Sequence, residues 1–154
     1  SLKELLETAK RKTSLKLVLE LKAHSKPERE IKAVEEIVSM IKKMGLEPRM
    51  IYITFSSHAL KELIRQAPTS TPVYYLKGDL SPQQLKELGS AGPDYHFSEF
   101  YRYTDWIESC HALGLKVNVW TVNKKEDMQY FWDKVDFITT DEPLGLLKDI
   151  MKVK

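Results

Sequence analysis

Glu20 and Lys22 place a carboxylate and an amine two residues apart in the stretch LKLVLELKAH, residues 15–24. Successive residues of a strand point to opposite faces, so the leucines here share one face, and Glu20 and Lys22 share the other with Val18. Polar side chains on the inner face of a barrel strand, near its carboxyl end, can form an active site. On an exposed edge strand the same pair is a surface ion pair worth at most about 1 kcal/mol. This stretch alone leaves both interpretations open.

The elements that must position this pair alternate between strand and helix along the chain. Apolar alternation predicts six strands, at 15–22, 49–55, 71–77, 93–98, 115–122 and 135–143. Helical spacing predicts a helix after each strand, at 27–44, 58–66, 82–88, 104–113, 124–134 and 144–152, and one before the first strand, at 2–11. This order predicts a single α/β domain over residues 1–154, with a parallel sheet and right-handed crossovers.

Turn and cap residues separate these elements where the alternation predicts boundaries. Gly45 and Gly89 follow the last apolar residue of a helical pattern, where glycine commonly ends a helix. Ser56 or Ser57, Ser81 and Asn123 each precede a helical pattern, and we expect them to cap the helix that follows.

The carboxyl ends of the predicted strands favour a barrel over a doubly wound nucleotide-binding sheet. Neither GxGxxG nor GxxxxGK[ST] occurs in the sequence. Aromatic and polar residues gather where strands finish, at Phe55, Phe97, Trp120, Asn123 and Asp141. The active site of a (β/α)8 barrel lies at this end of the strands, so the pattern predicts a TIM-type barrel with its site there.

Composition limits the classes of partner. The net charge is +2, with 42% apolar and 30% charged residues, which gives no reason to expect nucleic acid or anionic lipid as a partner. No apolar run approaches the roughly 18 residues of a membrane span. Cys110 is the single cysteine, so no internal disulfide can form, and we expect it to be buried in a helix.

Four segments make the chain similar to the glycerophosphodiester phosphodiesterase family. The segments are LVLELK, ITFSSHAL, GLKVNVWTVNKKEDM and VDFITTDEP. They resemble, in the family's order and spacing, its Glu-x-Lys strand, the strand that follows, and its last two strands. The resemblance implies a (β/α)8 barrel that hydrolyses a glycerophosphodiester to glycerol 3-phosphate and an alcohol. It also implies a divalent cation, Mg²⁺ or Ca²⁺, and two histidines that act as general acid and base.

The resemblance assigns roles to four residues. Glu20 matches a metal-ligand carboxylate of the family, and Lys22 matches a residue placed to meet phosphate oxygens. Phe55 and Trp120 match apolar walls of the substrate cleft, and a Trp face can also receive a quaternary ammonium group such as choline. The expected partner is therefore a small-molecule glycerophosphodiester.

The family's catalytic groups are not matched in this chain. The family carries a His-Arg pair and a Glu-x-Asp pair on its first two strands, and a second histidine after them; the sequence contains no His-Arg and no Glu-x-Asp. The resemblance therefore implies an incomplete barrel of about six βα units that lacks the first two strands. We expect the chain alone to be inactive and to bind a divalent metal weakly or not at all. A truly truncated sheet would have open edges that can pair with a second copy.

None of the four histidines matches a catalytic histidine by motif. His24 either faces the cleft or lies in a solvated loop. His58 and His111 are interpreted as structural, and the sequence does not assign a face to His96.

Three functions stay open at this point. The first is part of a metal-dependent glycerophosphodiesterase whose catalytic third is not in this sequence. The second is a non-catalytic module that binds phosphorylated polyols, and the third is a structural half-barrel without a ligand. Localisation stays open as well, because the family includes cytoplasmic and exported members.

Overall fold

The structure is a computed structural model that describes residues 1–11, 15–143 and 145. Its packing divides the chain into two compact units, unit 1 (Ser1–Tyr75) and unit 2 (Leu76–Lys154). Within each unit the described strands are parallel and alternate with helices, which confirms the predicted α/β class. The single domain over residues 1–154 stays a prediction.

Unit 1 is built around three strands. Its elements are α1 (Leu2–Lys10), β1 (Leu17–Leu21), α2 (Pro27–Met44), β2 (Met50–Thr54), α3 (Ser57–Gln66) and β3 (Val73–Tyr75). Strand β2 pairs in parallel with both β1 and β3, so that Leu19 lies opposite Tyr52 and Tyr52 lies opposite Val73.

The sheet of unit 1 has one covered face and one open face. Residues in register on parallel strands share a face, and the face of Leu21, Tyr52 and Val73 is buried. The apolar stripes of α2 and α3 are buried as well, at Val34, Ile41, Leu60 and Leu63. The opposite face carries Val18, Glu20, Ile51 and Ile53, none of them fully buried, and also Tyr74 on β3, which is buried; we call the β1–β2 part of this face the open face.

The ends of α2 follow from two residues with special backbones. Pro27 is its first residue, where the missing N–H costs nothing because first-turn N–H groups have no partner inside the helix. Gly45 ends it in the left-handed conformation, with φ 69°, and its N–H bonds back to the last turn. Both boundaries confirm the prediction.

Unit 2 repeats the alternation with shorter elements. They are α4 (Pro82–Leu88), β4 (Gly92–His96), α5 (Phe97–Arg102), α6 (Trp106–Ala112), β5 (Asn118–Trp120), α7 (Lys125–Phe131) and β6 (Phe137–Ile138). Strand β5 pairs in parallel with β4 and β6, so Asp94, Asn118 and Phe137 lie side by side. Ser81 caps α4 through a capping box and Gly89 ends it, as the sequence predicts.

The core of unit 2 combines aromatic and aliphatic side chains and encloses the single cysteine. Tyr95, Phe100 and Phe131 are fully buried, and the Tyr95 and Phe100 rings stack with centroids 6.1 Å apart. Cys110 on α6 is 0% exposed, as expected, and burial raises the pKa of its thiol to about 12. A protonated, enclosed thiol behaves as a small apolar side chain.

The backbone at Gly92, the first residue of β4, lies very close to Lys116, in the segment that leads into β5. Its φ is +147°, and a Cβ on this residue would lie 1.8 Å from the Lys116 carbonyl oxygen. The Lys116 N–H donates to the Ala91 carbonyl at 3.0 Å, which holds the two segments at this distance. Only glycine fits here without a shift of the backbone.

Three sequence predictions differ from the structure. All six strands are shorter than predicted, and β6 has only two residues. Helix α5 was not predicted; it starts at Phe97, where the sequence indicated strand. Asn123 does not cap α7, whose N-cap residue is Lys124. The predicted helix at 144–152 falls outside the described residues except for position 145.

No helix among the described residues combines the length and the apolar character needed to cross a membrane.

Candidate functional site

Glu20 and Lys22 form an ion pair at the carboxyl end of β1. Lys22 Nζ lies 2.9 Å from Glu20 Oε1, and the two side chains are 77% and 29% exposed. Glu20 is in register with Ile53, which places it on the open face of unit 1. The pair is therefore accessible and presents a positive group beside a carboxylate. The metal and phosphate roles predicted for the pair stay predictions.

Phe55 directly follows β2, and its strand end is bonded to the end of β1. The hydroxyl of Thr54 donates to the Leu21 carbonyl at 2.9 Å and accepts the Ser56 N–H at 3.1 Å. Thr54 is fully buried, and Phe55 is 40% exposed. The partly exposed Phe55 thus follows the end of β2, which is bonded to the end of β1. Lys22 is the first residue after β1.

A buried carboxylate, Glu30, ties together the segments after β1 and β2. Its Oε1 accepts the His24 N–H at 2.9 Å, and its Oε2 accepts Ser56 Oγ at 2.8 Å and lies 3.1 Å from His58 Nδ1. Glu30 is only 3% exposed. Burial alone would raise the pKa of its carboxyl, but the three hydrogen bonds outweigh burial and hold that pKa below its ordinary value.

In unit 2, Trp120 lies on the same strand face as His96. The two residues are in register, and their rings meet edge to face at 5.0 Å. Trp120 Nε1 donates to the Asp94 carbonyl at 2.7 Å, which fixes the indole across β4. His96 Nδ1 accepts the Ser98 N–H at 3.2 Å, so this imidazole also caps α5. The sequence did not assign a face to His96; the structure places it beside Trp120.

Two buried polar side chains share that face of unit 2. Asp94 and Asn118 are in register and each is 8% exposed. Asp94 Oδ1 and Asn118 Oδ1 are buried and accept no hydrogen bond from the described residues. Burial raises the pKa of the Asp94 carboxyl to about 6, because an enclosed carboxylate without a donor is costly.

Asn123 joins the ends of β5 and β6. Its Nδ2 donates to Asp141 Oδ2 at 2.9 Å, and its Oδ1 accepts the Asp141 N–H at 3.0 Å and the Thr140 hydroxyl at 3.2 Å. The segments WTVN and TTDEP, which the sequence marked as separate motifs, are therefore bonded to each other.

The remaining histidines occupy three different environments. His24 lies in an exposed segment, and its N–H is bonded to Glu30. His58 contacts Glu30, and His111 Nε2 lies 2.8 Å from Asp136 Oδ2. His58 and His111 thus bridge elements through carboxylates, as expected of structural histidines.

Comparison with known proteins identifies the family of the chain. The sequence model of the glycerophosphoryl diester phosphodiesterase family matches residues 1–144. The chain belongs to this family. A glycerophosphodiester phosphodiesterase from Caldanaerobacter subterraneus subsp. tengcongensis is 30% identical over 123 residues, which are 77% of this chain and 49% of that protein.

Solved structures agree with this assignment. The crystal structure of a glycerophosphodiester phosphodiesterase from Parabacteroides distasonis is 42% identical, with a TM-score of 0.92, and the match covers 99% of this chain and 64% of that chain. A structure from Silicibacter pomeroyi is 27% identical, with a TM-score of 0.85, over 99% of this chain and 56% of that one. The chain therefore spans about half to two thirds of the length of these relatives.

The family resemblance and a TIM-type α/β fold are thus confirmed. Homologues named glycerophosphodiester phosphodiesterases share the fold over nearly the whole chain. The number of barrel units and the lack of the first two strands stay predictions.

The described residues do not complete a site for a divalent cation. They contain no group of three or more His, Cys, Asp or Glu side chains that could hold one. Glu20 supplies one carboxylate, already paired with Lys22, whereas Mg²⁺ and Ca²⁺ take about six or more oxygen ligands.

The buried positions of Glu30 and of the Asp94–Asn118 pair are not predicted from the sequence. Glu30 carried a signal, because it lies four residues before Val34 and eleven before Ile41, on the apolar stripe of α2. A carboxylate on such a stripe needs buried donors. Asp94 gave a weaker signal, since it alternates with Tyr95 on a strand whose faces the sequence did not distinguish.

Proposed function

We propose that this chain is part of a metal-dependent enzyme that hydrolyses glycerophosphodiesters to glycerol 3-phosphate and an alcohol. The observation that carries the proposal is the family match over residues 1–144 together with an accessible Glu20–Lys22 pair on the open face of unit 1. The relatives from Caldanaerobacter and Parabacteroides bear the name of this activity.

Lys22 is the residue we propose for contact with the phosphate. Its ammonium is exposed at the end of β1 and has three N–H donors, of which the pair with Glu20 uses only a part. A flexible lysine meets a phosphate as a point charge, and the neighbouring carboxylate keeps the ammonium near the strand end. The geometry suits an anion that approaches from solvent.

Glu20 is the residue we propose as one ligand of the divalent cation. Phe55 in unit 1 and Trp120 in unit 2 are each proposed as apolar contacts of the substrate. Phe55 offers an exposed ring, and Trp120 offers an indole whose Nε1 is already bonded to backbone. These three roles rest on the family pattern at the matching positions.

The alternative is a module that binds phosphorylated polyols without turning them over. In this alternative Lys22 still contacts the phosphate, but no hydrolysis follows. The lack of His-Arg and Glu-x-Asp in the sequence favours it. Binding of a phosphate ester is common to both, so binding is the property to measure first.

The test is a titration of the 154-residue chain with sn-glycerol 3-phosphate, followed by NMR. Lys22→Ala should weaken binding about fivefold, the equivalent of about 1 kcal/mol for an exposed charged contact. Lys32→Ala is the matched control, because Lys32 is 78% exposed and also pairs with a nearby glutamate, Glu36, at 3.9 Å. It should leave the affinity unchanged.

Equal losses of affinity in the Lys22 and Lys32 variants would mean that only the net charge of the chain matters, which would overturn the role assigned to Lys22. Wild-type chain that shows no saturable binding would overturn the proposed function as a whole.

A further inference from the structure

Glu30 is the only carboxylate in the described part of the chain that is both nearly fully buried and hydrogen-bonded to two other segments of unit 1. It sits in the first turns of α2, accepts from the segment after β1 through His24, and accepts from the N-terminus of α3 through Ser56 and His58. Its bonds therefore span 6, 26 and 28 residues of sequence.

The bonded atoms lie next to the candidate site. His24 is two residues beyond Lys22, and Ser56 directly follows Phe55. Ser56 Oγ donates to Glu30 and accepts the Ala59 N–H at 3.1 Å, so this hydroxyl joins the helix cap to the carboxylate. Movement of either segment would break a charge-assisted hydrogen bond inside a buried environment.

A second bond between the same strand ends works alongside Glu30. Thr54 Oγ1 donates to the Leu21 carbonyl, one residue before Lys22, at 2.9 Å. The Thr54 bond joins the last residues of β1 and β2, whereas the Glu30 bonds join the segments that follow these two strands. Lys22 and Phe55 lie between these two attachments along the chain.

We propose that Glu30 is a positioning residue of the candidate site: it holds the segments after β1 and β2 so that Lys22 and Phe55 keep a fixed arrangement. The link to ligand binding rests on the proposed function, while the positioning itself is a property of the ligand-free chain. Glu30 touches no ligand in this proposal and acts through the backbone of residues 22–24 and 55–58.

Glu30→Gln is the variant that tests the positioning. Glutamine keeps the volume and can still accept one N–H, but its amide group cannot accept from Ser56 and His58. The matched control is Asp136→Asn in unit 2, because Asp136 also bonds a histidine and a backbone N–H, from His111 and Val117, both at 2.8 Å. Both variants should lose stability.

The ligand-free readout is amide hydrogen exchange and the ¹H–¹⁵N chemical shifts of the backbone. In Glu30→Gln we expect the Lys22 and Phe55 amides to shift, and the His24 amide to exchange faster, because its acceptor is then a neutral amide oxygen in place of a carboxylate. In Asp136→Asn these three amides should be unchanged. If Glu30→Gln leaves the Lys22 and Phe55 amides as they are in wild type, the proposal is wrong, whether or not any ligand binds.

The affinity readout is a double-mutant cycle with sn-glycerol 3-phosphate as the probe. Glu30→Gln should weaken binding about threefold in the wild-type background and by less than about 1.5-fold in the Lys22→Ala background, because residues that act through one another are not additive. Equal losses in both backgrounds, or a loss no larger than that of Asp136→Asn, would overturn the positioning role. A wild-type chain that does not bind the probe refutes the proposed function, and the amide shifts alone then decide the proposal about Glu30.

Discussion

Asp94 shows how one side chain sets a pH dependence for the whole fold. Its carboxyl is buried beside Asn118, and burial raises its pKa from 3.8 to about 6. Between these two values the unfolded chain releases the proton while the folded chain keeps it. The free energy of unfolding therefore falls as the pH rises through this window, and it stays low above about pH 6.

We predict that Asp94→Asn removes this loss. Asparagine is uncharged at every pH, so the variant should gain more stability at pH 7.5 than at pH 4.5, by about 2 kcal/mol. Urea denaturation of both proteins at the two pH values measures the difference. Asp133→Asn serves as the control, because the side chain of Asp133 is 79% exposed. An equal effect of Asp94→Asn at both pH values would contradict the prediction.

The residues that sequence analysis missed share a physical reason. Glu30 and Asp94 are buried and polar, and their environments are made by residues up to 28 positions away. A one-dimensional pattern shows that such a group lies on a buried face, as with Glu30 on the stripe of α2, but not which donors meet it. The proximity of Glu20 and Lys22 could be predicted, because alternation within one strand is a local signal.

At the scale of elements, the contact between β4 and β5 depends on one missing side chain. Gly92→Ala would place a Cβ 1.8 Å from the Lys116 carbonyl oxygen, on a backbone with φ +147°. Since both the backbone conformation and the contact with main-chain atoms are unfavourable, we predict a loss of about 3 kcal/mol or more. Thermal unfolding followed by circular dichroism measures it.

Gly114→Ala separates the two causes. Gly114 has φ +76°, but a Cβ there would meet no heavy atom within 4 Å. This variant should lose only the conformational part, about 1 kcal/mol. Comparable losses at both glycines would show that the close approach of β4 and β5 contributes nothing.

Element boundaries were predicted well where a residue acts through its own backbone. Pro27 and Gly45 delimit α2, and Ser81 and Gly89 delimit α4, because each acts within one or two turns. Asn123 is a residue type that often caps helices, but its side chain bonds to residues 140 and 141 instead. Local spacing cannot reveal partners this far along the chain. Helix α5 was missed for a related reason, since its N-cap is His96, a residue seldom found there.

At the scale of the whole molecule, we predict weak binding of divalent cations by the 154-residue chain. Glu20 is one carboxylate where a hard cation needs several, so the Kd for Mg²⁺ or Ca²⁺ should be about 1 mM or weaker. Isothermal titration calorimetry measures it, with Glu20→Gln as the variant that should abolish what binding there is. Micromolar affinity would mean that other ligands of this chain complete the site.

The same reasoning predicts slow chemistry. A positioned acid and base each contribute about 10²–10⁴-fold, and no histidine of the chain matches the family's catalytic pair. Release of choline from glycerophosphocholine, with Mg²⁺ or Ca²⁺ present, should therefore stay well below about 1 per second, in contrast to typical enzymes. Turnover near that rate would contradict the prediction that the chain alone is inactive.

The enclosure of Cys110 has a consequence for how this protein can be observed. A thiol with no accessible surface and a pKa near 12 is invisible to alkylating reagents while α6 stays packed. Because the sequence has no other cysteine, every labelled molecule records one opening of unit 2. The rate at which Cys110 is alkylated thus measures how often unit 2 opens.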